Sequence, residues 1–118
     1  MAPGVGIDLI EIERIERALR RRPRLAERLF QPGELAFAES RTRPATHLAA
    51  RFAAKEAAIK ALGGGFAPRD VEVTGGGQEP PALLLHGPAR DRADRSGLSL
   101  TVSLTHTREA AAAVVLAI

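Results

Sequence analysis

Residues 47–62 read HLAARFAAKEAAIKAL, and the way their side chains distribute around a helix sets the expected fold. At 100° per residue, Leu48, Phe52, Ile59 and Leu62 fall on one narrow stripe, with Lys55 inside it. Glu56 and Lys60 lie together along one border of the stripe, and Arg51 along the other. Alanine holds nearly every other position: Ala49, Ala50, Ala53, Ala54, Ala57, Ala58 and Ala61. Small side chains on all sides let other elements approach the backbone closely from several directions. The segment is therefore expected as a central helix wrapped by sheet, with Thr46 as its N-cap and Gly63, Gly64 and Gly65 closing it.

Upstream, Val5, Ile7 and Leu9 alternate with Gly6, Asp8 and Ile10, the period of a strand, so Asp8 points away from the Val5–Ile7–Leu9 face. The period then changes. Ile12, Ile15 and Leu19 take the spacing of one helix face, and Pro23 ends that helix about two residues before itself. RLAERLF forms a helical turn, Gln31, Pro32 and Gly33 a chain turn, and 34–38 opens another short helix. Downstream, 71–73 and 81–85 are short strands flanking a turn rich in Gly and Pro, and 88–95 is a short charged helix. Leu98, Leu100, Val102 and Leu104 alternate with small polar residues, a strand with one buried face. Residues 110–118 are almost wholly apolar, a strand expected to be buried on both faces. The class is α+β: one domain over 1–118, with an antiparallel sheet of three to five strands packed around the long helix.

Composition narrows the function. With no Cys, disulfides and thiolate chemistry are excluded. No run approaches the roughly 18 apolar residues that span a bilayer, and MAPGVGIDL does not look like a secretory leader, so a soluble cytoplasmic protein is expected, with no membrane partner. The charge is +3, and nearly all the basic residues are Arg, which pairs well with carboxylate and phosphate. Arg14, Arg17, Arg21 and Arg24 recur at i, i+3, i+7 and i+10, which up to Pro23 is one basic face of the first helix. With no Trp or Tyr for base stacking, an acidic protein helix suits that face better than nucleic acid does.

Three polar features carry the chemical reading. Asp8 interrupts an apolar strand, where an edge or capping carboxylate is the plain alternative. Glu56 and Lys60 are four apart on a helix, where a solvated pair contributes only about 0.3 kcal/mol. Here, however, they border a buried stripe. Lys55 lies within that stripe and either runs its stem to solvent or meets an anion. Two carboxylates from separate elements make a sensible magnesium site, since magnesium takes one or two protein carboxylates, waters and substrate phosphate. Lysines beside them would face the same phosphates, which suggests phosphoryl-group chemistry. His106, flanked by Ser103, Thr105 and Thr107, offers donors suited to a phosphate, with a structural histidine as the alternative. The glycines after the helix are ordinary terminators that could also cradle phosphate, although they form no Walker loop.

GVGIDLIEIERI, LFQPGEL, RFAAKEAAIKAL and SLTHTREAAAAVV resemble, in that order and spacing and nearly end to end, the holo-acyl-carrier-protein synthase family of small 4′-phosphopantetheinyl transferases. The resemblance implies an enzyme that moves the 4′-phosphopantetheine arm of coenzyme A to a serine of an apo-acyl carrier protein, releasing 3′,5′-ADP, in fatty acid or polyketide biosynthesis. It implies Asp8 and Glu56 as magnesium ligands, and Lys60, with Lys55 as a helper, on the pyrophosphate. It puts Arg51 and His106 near the nucleotide's 3′-phosphate, His106 from the neighbouring chain, while Gly63, Gly64, Ser103 and Thr105 stand as further cofactor-binding candidates on the residue reading above. Arg14, Arg17, Arg21 and Arg24 would dock the carrier, and a homotrimer would hold its active sites between subunits. Ile10 occupies a position where larger monomeric relatives carry a third acid, which fits the small trimeric class. The rival readings are a non-catalytic module gripping an acidic protein, and a transferase dedicated to polyketide or peptide-synthetase carriers.

Overall fold

The computed structural model describes residues 3–118. In chain order it has β1 (Gly4–Glu11), α1 (Ile12–Arg21), α2 (Leu25–Leu29), α3 (Pro32–Glu39), α4 (Pro44–Leu62), a 3₁₀ turn (Pro68–Asp70), β2 (Val71–Thr74), β3 (Ala82–Leu85), α5 (Gly87–Ser96), β4 (Leu100–His106) and β5 (Ala110–Ala117). Among the described residues no helix is long and apolar enough to cross a membrane.

The long alanine-rich segment is the central helix. Ala49, Ala53, Ala54, Ala57 and Ala58 are all fully buried, because α4 is surrounded. An antiparallel sheet in the order β1-β5-β4 covers one side, and the β2–β3 hairpin, α1 and α3 cover others. The helix begins two residues before its expected N-cap. Thr46 is buried inside it, and Arg43 stands at the N-cap without a side-chain cap. Pro44 explains the shift: its fixed φ suits a first helical turn and its missing N–H needs no partner there. Likewise α3 starts at Pro32, where the Gln31 backbone N–H donates to the Glu34 carboxylate at 2.9 Å.

The strands form two sheets rather than one. β2 and β3 pair only with each other, and β3 lies beside β4 across a groove lined by Leu83, Leu85, Leu98 and Leu100, with no ladder between them. In β1 the apolar face points outward: Val5, Ile7 and Leu9 are 62%, 66% and 72% exposed. The inward face is Gly6, Asp8 and Ile10. A Cβ on Gly6 would lie 1.8 Å from the Ala57 carbonyl oxygen, so the strand backbone lies directly on α4 and only glycine fits. β5 is buried on one face, not two. Ala111, Ala113, Val115 and Ala117 pack on α4, whereas Leu116 on the other face is 44% exposed because nothing among the described residues covers the outer side of the sheet.

Candidate active site

Asp8 is two residues beyond Gly6 on the same face of β1, so the contact of Gly6 with α4 brings its carboxylate against the helix. Glu56 belongs to the turn of α4 that Gly6 touches, one residue before Ala57. Both carboxylates line one cavity of about 480 Å³. Lys60, one turn further along α4, donates from Nζ to the Ile7 carbonyl at 2.9 Å and to Asp8 Oδ1 at 3.2 Å. Burial, and then the charge of Asp8, push the Glu56 carboxyl above its ordinary value, while Lys60 opposes them. The three residues singled out for catalysis therefore share one place.

The rest of that cavity was not foreseen in the sequence. Ile10, Ile15, Ala18, Leu25, Leu29 and Phe52 form an apolar wall, and Arg14 stands at its edge. Phe52 carried a signal, since it precedes Glu56 by one turn on α4. Leu25 and Leu29 reach the wall only because the chain reverses at Pro23, which side-chain periodicity does not encode. Of the other docking arginines, Arg17 pairs with Glu13 at 3.0 Å, Arg21 closes α1, and Arg24 lies between α1 and α2; all are exposed.

Lys55 departs from the phosphate role. Its side chain is wholly buried, and Nζ donates to Glu34 Oε1 at 2.7 Å, Val71 O at 2.5 Å and Pro68 O at 3.2 Å. Glu34 is satisfied in turn by the backbone N–H groups of Gln31 and Val73. All three ammonium hydrogens are engaged and none is left for a ligand. Lys55 meets an anion, but that anion belongs to the protein.

Arg51 and His106 lie near the two ends of a contact chain. The Arg51 guanidinium sits 4.1 Å over the Phe37 ring and donates to Gly75 O at 2.9 Å. Phe37 meets the His47 ring at 5.6 Å, and His47 meets His106 at 6.1 Å, while Arg41 covers Phe37 at 4.5 Å. Burial, followed by the positive neighbours His106, Arg41 and Arg51, lowers the His47 pKa. Arg51 Nε is buried and has no acceptor among the described residues. Ser103 and Thr105 do not join this group. Strand alternation places them on the outer face of β4, opposite the Leu104 and His106 phase, with Ser103, Thr105 and Ile7 around a small cavity on the outer sheet. Gly63 and Gly64 are exposed just past the end of α4, one turn beyond Lys60.

A family model described as the 4′-phosphopantetheinyl transferase superfamily matches residues 4–115. The holo-acyl-carrier-protein synthase of Moorella thermoacetica is 49% identical over 115 aligned positions, covering 94% of this chain and 90% of that protein. The synthase of Nitratidesulfovibrio vulgaris (strain Hildenborough) is 46% identical over 122 positions, covering 98% of each. A solved ACPS–CoA complex from Chronobacterium ammoniagenes superposes with a TM-score of 0.86 at 30% identity, over 99% of this chain and 97% of that one. With a carboxylate pair and a lysine converging where β1 crosses α4, and with this likeness from end to end, the chain belongs to the holo-acyl-carrier-protein synthases of the 4′-phosphopantetheinyl transferase superfamily, enzymes that pass the phosphopantetheine arm of coenzyme A to an acyl carrier protein.

Proposed function

We propose that this chain carries out that transfer at the cavity shared by Asp8 and Glu56, the residues that would hold a magnesium ion. The observation that carries the reading is the shared cavity itself: two hard oxygen donors line it together, and burial, then the charge of Asp8, raises the Glu56 pKa. Such a pair fits a divalent cation, and two protein carboxylates leave room for phosphate oxygens and water, as magnesium prefers. Magnesium, when bound, neutralises charge on the diphosphate and on the departing nucleotide.

The protein's own residues supply the rest. The carrier serine oxygen forms a bond to the phosphorus next to the pantetheine arm, and the bond from that phosphorus to the bridging oxygen of 3′,5′-ADP breaks. Glu56, placed in the shared cavity, is the residue that accepts the serine proton. Lys60 holds Asp8 in place and steadies the pyrophosphate charge. Arg51 and His106 take the 3′-phosphate end of the nucleotide. Arg14, Arg17, Arg21 and Arg24 receive the acidic face of the carrier, and the apolar wall from Ala18 to Phe52 receives its apolar side chains. The exposed outer sheet, with Val5, Ile7, Leu9, Leu116 and Ile118, is the surface through which three copies assemble in the cytoplasm.

The test is incubation with apo-acyl carrier protein, coenzyme A and magnesium, read as intact mass of the carrier. One phosphopantetheine is gained with the native chain and none with Asp8→Ala or Glu56→Ala. Arg14→Ala raises the carrier KM and flattens its salt dependence while the coenzyme A KM stays put. No mass gain with fatty acid, polyketide or peptide-synthetase carriers would refute the reading.

A further inference from the structure

α4 ends differently from every other α-helix in the chain. In α1, α2, α3 and α5 the backbone N–H of the residue after the last helical turn bonds back into the helix, from Arg22, Phe30, Ser40 and Gly97 respectively. At the end of α4, Gly63 has φ 85° and ψ 158° and makes no such bond. A side chain from elsewhere takes its place: Arg92 Nη1 donates to the Leu62 carbonyl at 2.9 Å.

The same guanidinium lies along the glycine loop. A Cβ on Gly63 would meet Arg92 Nη1 at 3.0 Å, and one on Gly65, whose φ is 102°, would meet Nη2 at 3.3 Å. Arg92 also comes from a fixed base, because Ala89 and Ala93 of α5 are buried and Ala93 packs with Leu62 and Ala117. Among the described residues it has no carboxylate partner, whereas its neighbour Arg90 is paired with Asp94 at 3.8 Å. The last carbonyls of a helix carry partial negative charge, which disfavours an anion beside them. A guanidinium on the final carbonyl offsets that charge at the place where a phosphate must approach.

We propose that Arg92 is a positioning residue for coenzyme A: it caps α4 and holds Gly63, Gly64 and Gly65 in the shape that receives the cofactor. The inference rests on the reading of Gly63 and Gly64 as cofactor-binding residues, and the experiment separates the two. Steady-state kinetics are measured for the native chain, Arg92→Ala, Arg92→Lys and Gly64→Leu, with amide hydrogen exchange read over residues 62–65. Gly64 has open space around the position of its Cβ, so a larger side chain folds there and blocks only a ligand.

Arg92→Ala is expected to raise the coenzyme A KM about three- to tenfold and to speed exchange over the loop, with the carrier KM and kcat nearly unchanged. Arg92→Lys keeps one donor for the Leu62 carbonyl and recovers part of the loss. Gly64→Leu raises the coenzyme A KM as well. If Gly64→Leu acts and Arg92→Ala does not, the role of Arg92 is overturned and the loop reading stands. If neither variant moves the coenzyme A KM, both fall. A drop in thermal stability together with uniform losses in every kinetic parameter would make Arg92 a plain structural contact and also overturn the proposal.

Discussion

Glu56 pays for its function in stability, and the sign of that effect can be worked out. Its folded-state pKa lies above the ordinary glutamate value of 4.5, chiefly through burial and then through Asp8. A group with a raised pKa contributes stability that is complete below the unfolded value and is lost as pH rises through the folded value. Metal-free melts from pH 4 upward are therefore expected to show the native chain losing ground to Glu56→Gln as pH rises, with the two alike at the acid end. The same variant is expected to lose roughly 10²- to 10⁴-fold in kcat by removal of the base. Lys55 gives the opposite lesson. Lys55→Met removes the countercharge of Glu34 in the core, at a cost of roughly 3–5 kcal/mol, and adding Glu34→Leu recovers only part of the loss, because the Val73 N–H and the Val71 carbonyl then lose their partners. Denaturant unfolding of Lys55→Met, Glu34→Leu and the double variant checks this; losses that simply add would show that the pair is not coupled.

At the scale of elements, the site is made where β1 lies on α4. Gly6→Ala would push a methyl into the Ala57 carbonyl and lift the strand off the helix. About 1–3 kcal/mol of stability and at least about tenfold in kcat/KM are expected to go together, because Asp8 moves with the strand. Unfolding curves and carrier modification measure the two losses, and a Gly6→Ala protein with full activity would show that the close approach is not needed. The all-round alanine of α4 made this helix legible in the sequence, and the alternation around Asp8 correctly set that residue apart from Val5, Ile7 and Leu9. Which face of β1 goes inward was hidden, because glycine, aspartate and a single isoleucine form the buried face and the larger apolar residues form the exposed one. The buried role of Lys55 was hidden for a related reason: its partner Glu34 lies 21 residues away, on α3, and only tertiary packing joins them. Ser103 and Thr105 both precede His106 along β4, but alternation assigns them to the other face.

For the whole molecule, the chain ends as a half-finished object. One sheet face is packed on α4, and the other exposes Val5, Ile7, Leu9, Leu116 and Ile118 to solvent. Light scattering is expected to give three times the 12.5 kDa of one chain, and Ile7→Glu, on the outer face, is expected to give smaller and inactive species. A fully active monomer would contradict active sites shared between copies. The account as a whole is tested most directly by manganese binding, followed by electron paramagnetic resonance with coenzyme A present, as a spectroscopic substitute for magnesium. One ion per chain is expected for the native protein, with binding greatly weakened in both Asp8→Asn and Glu56→Gln. Native-like binding in either variant would contradict a cation held jointly by the two carboxylates.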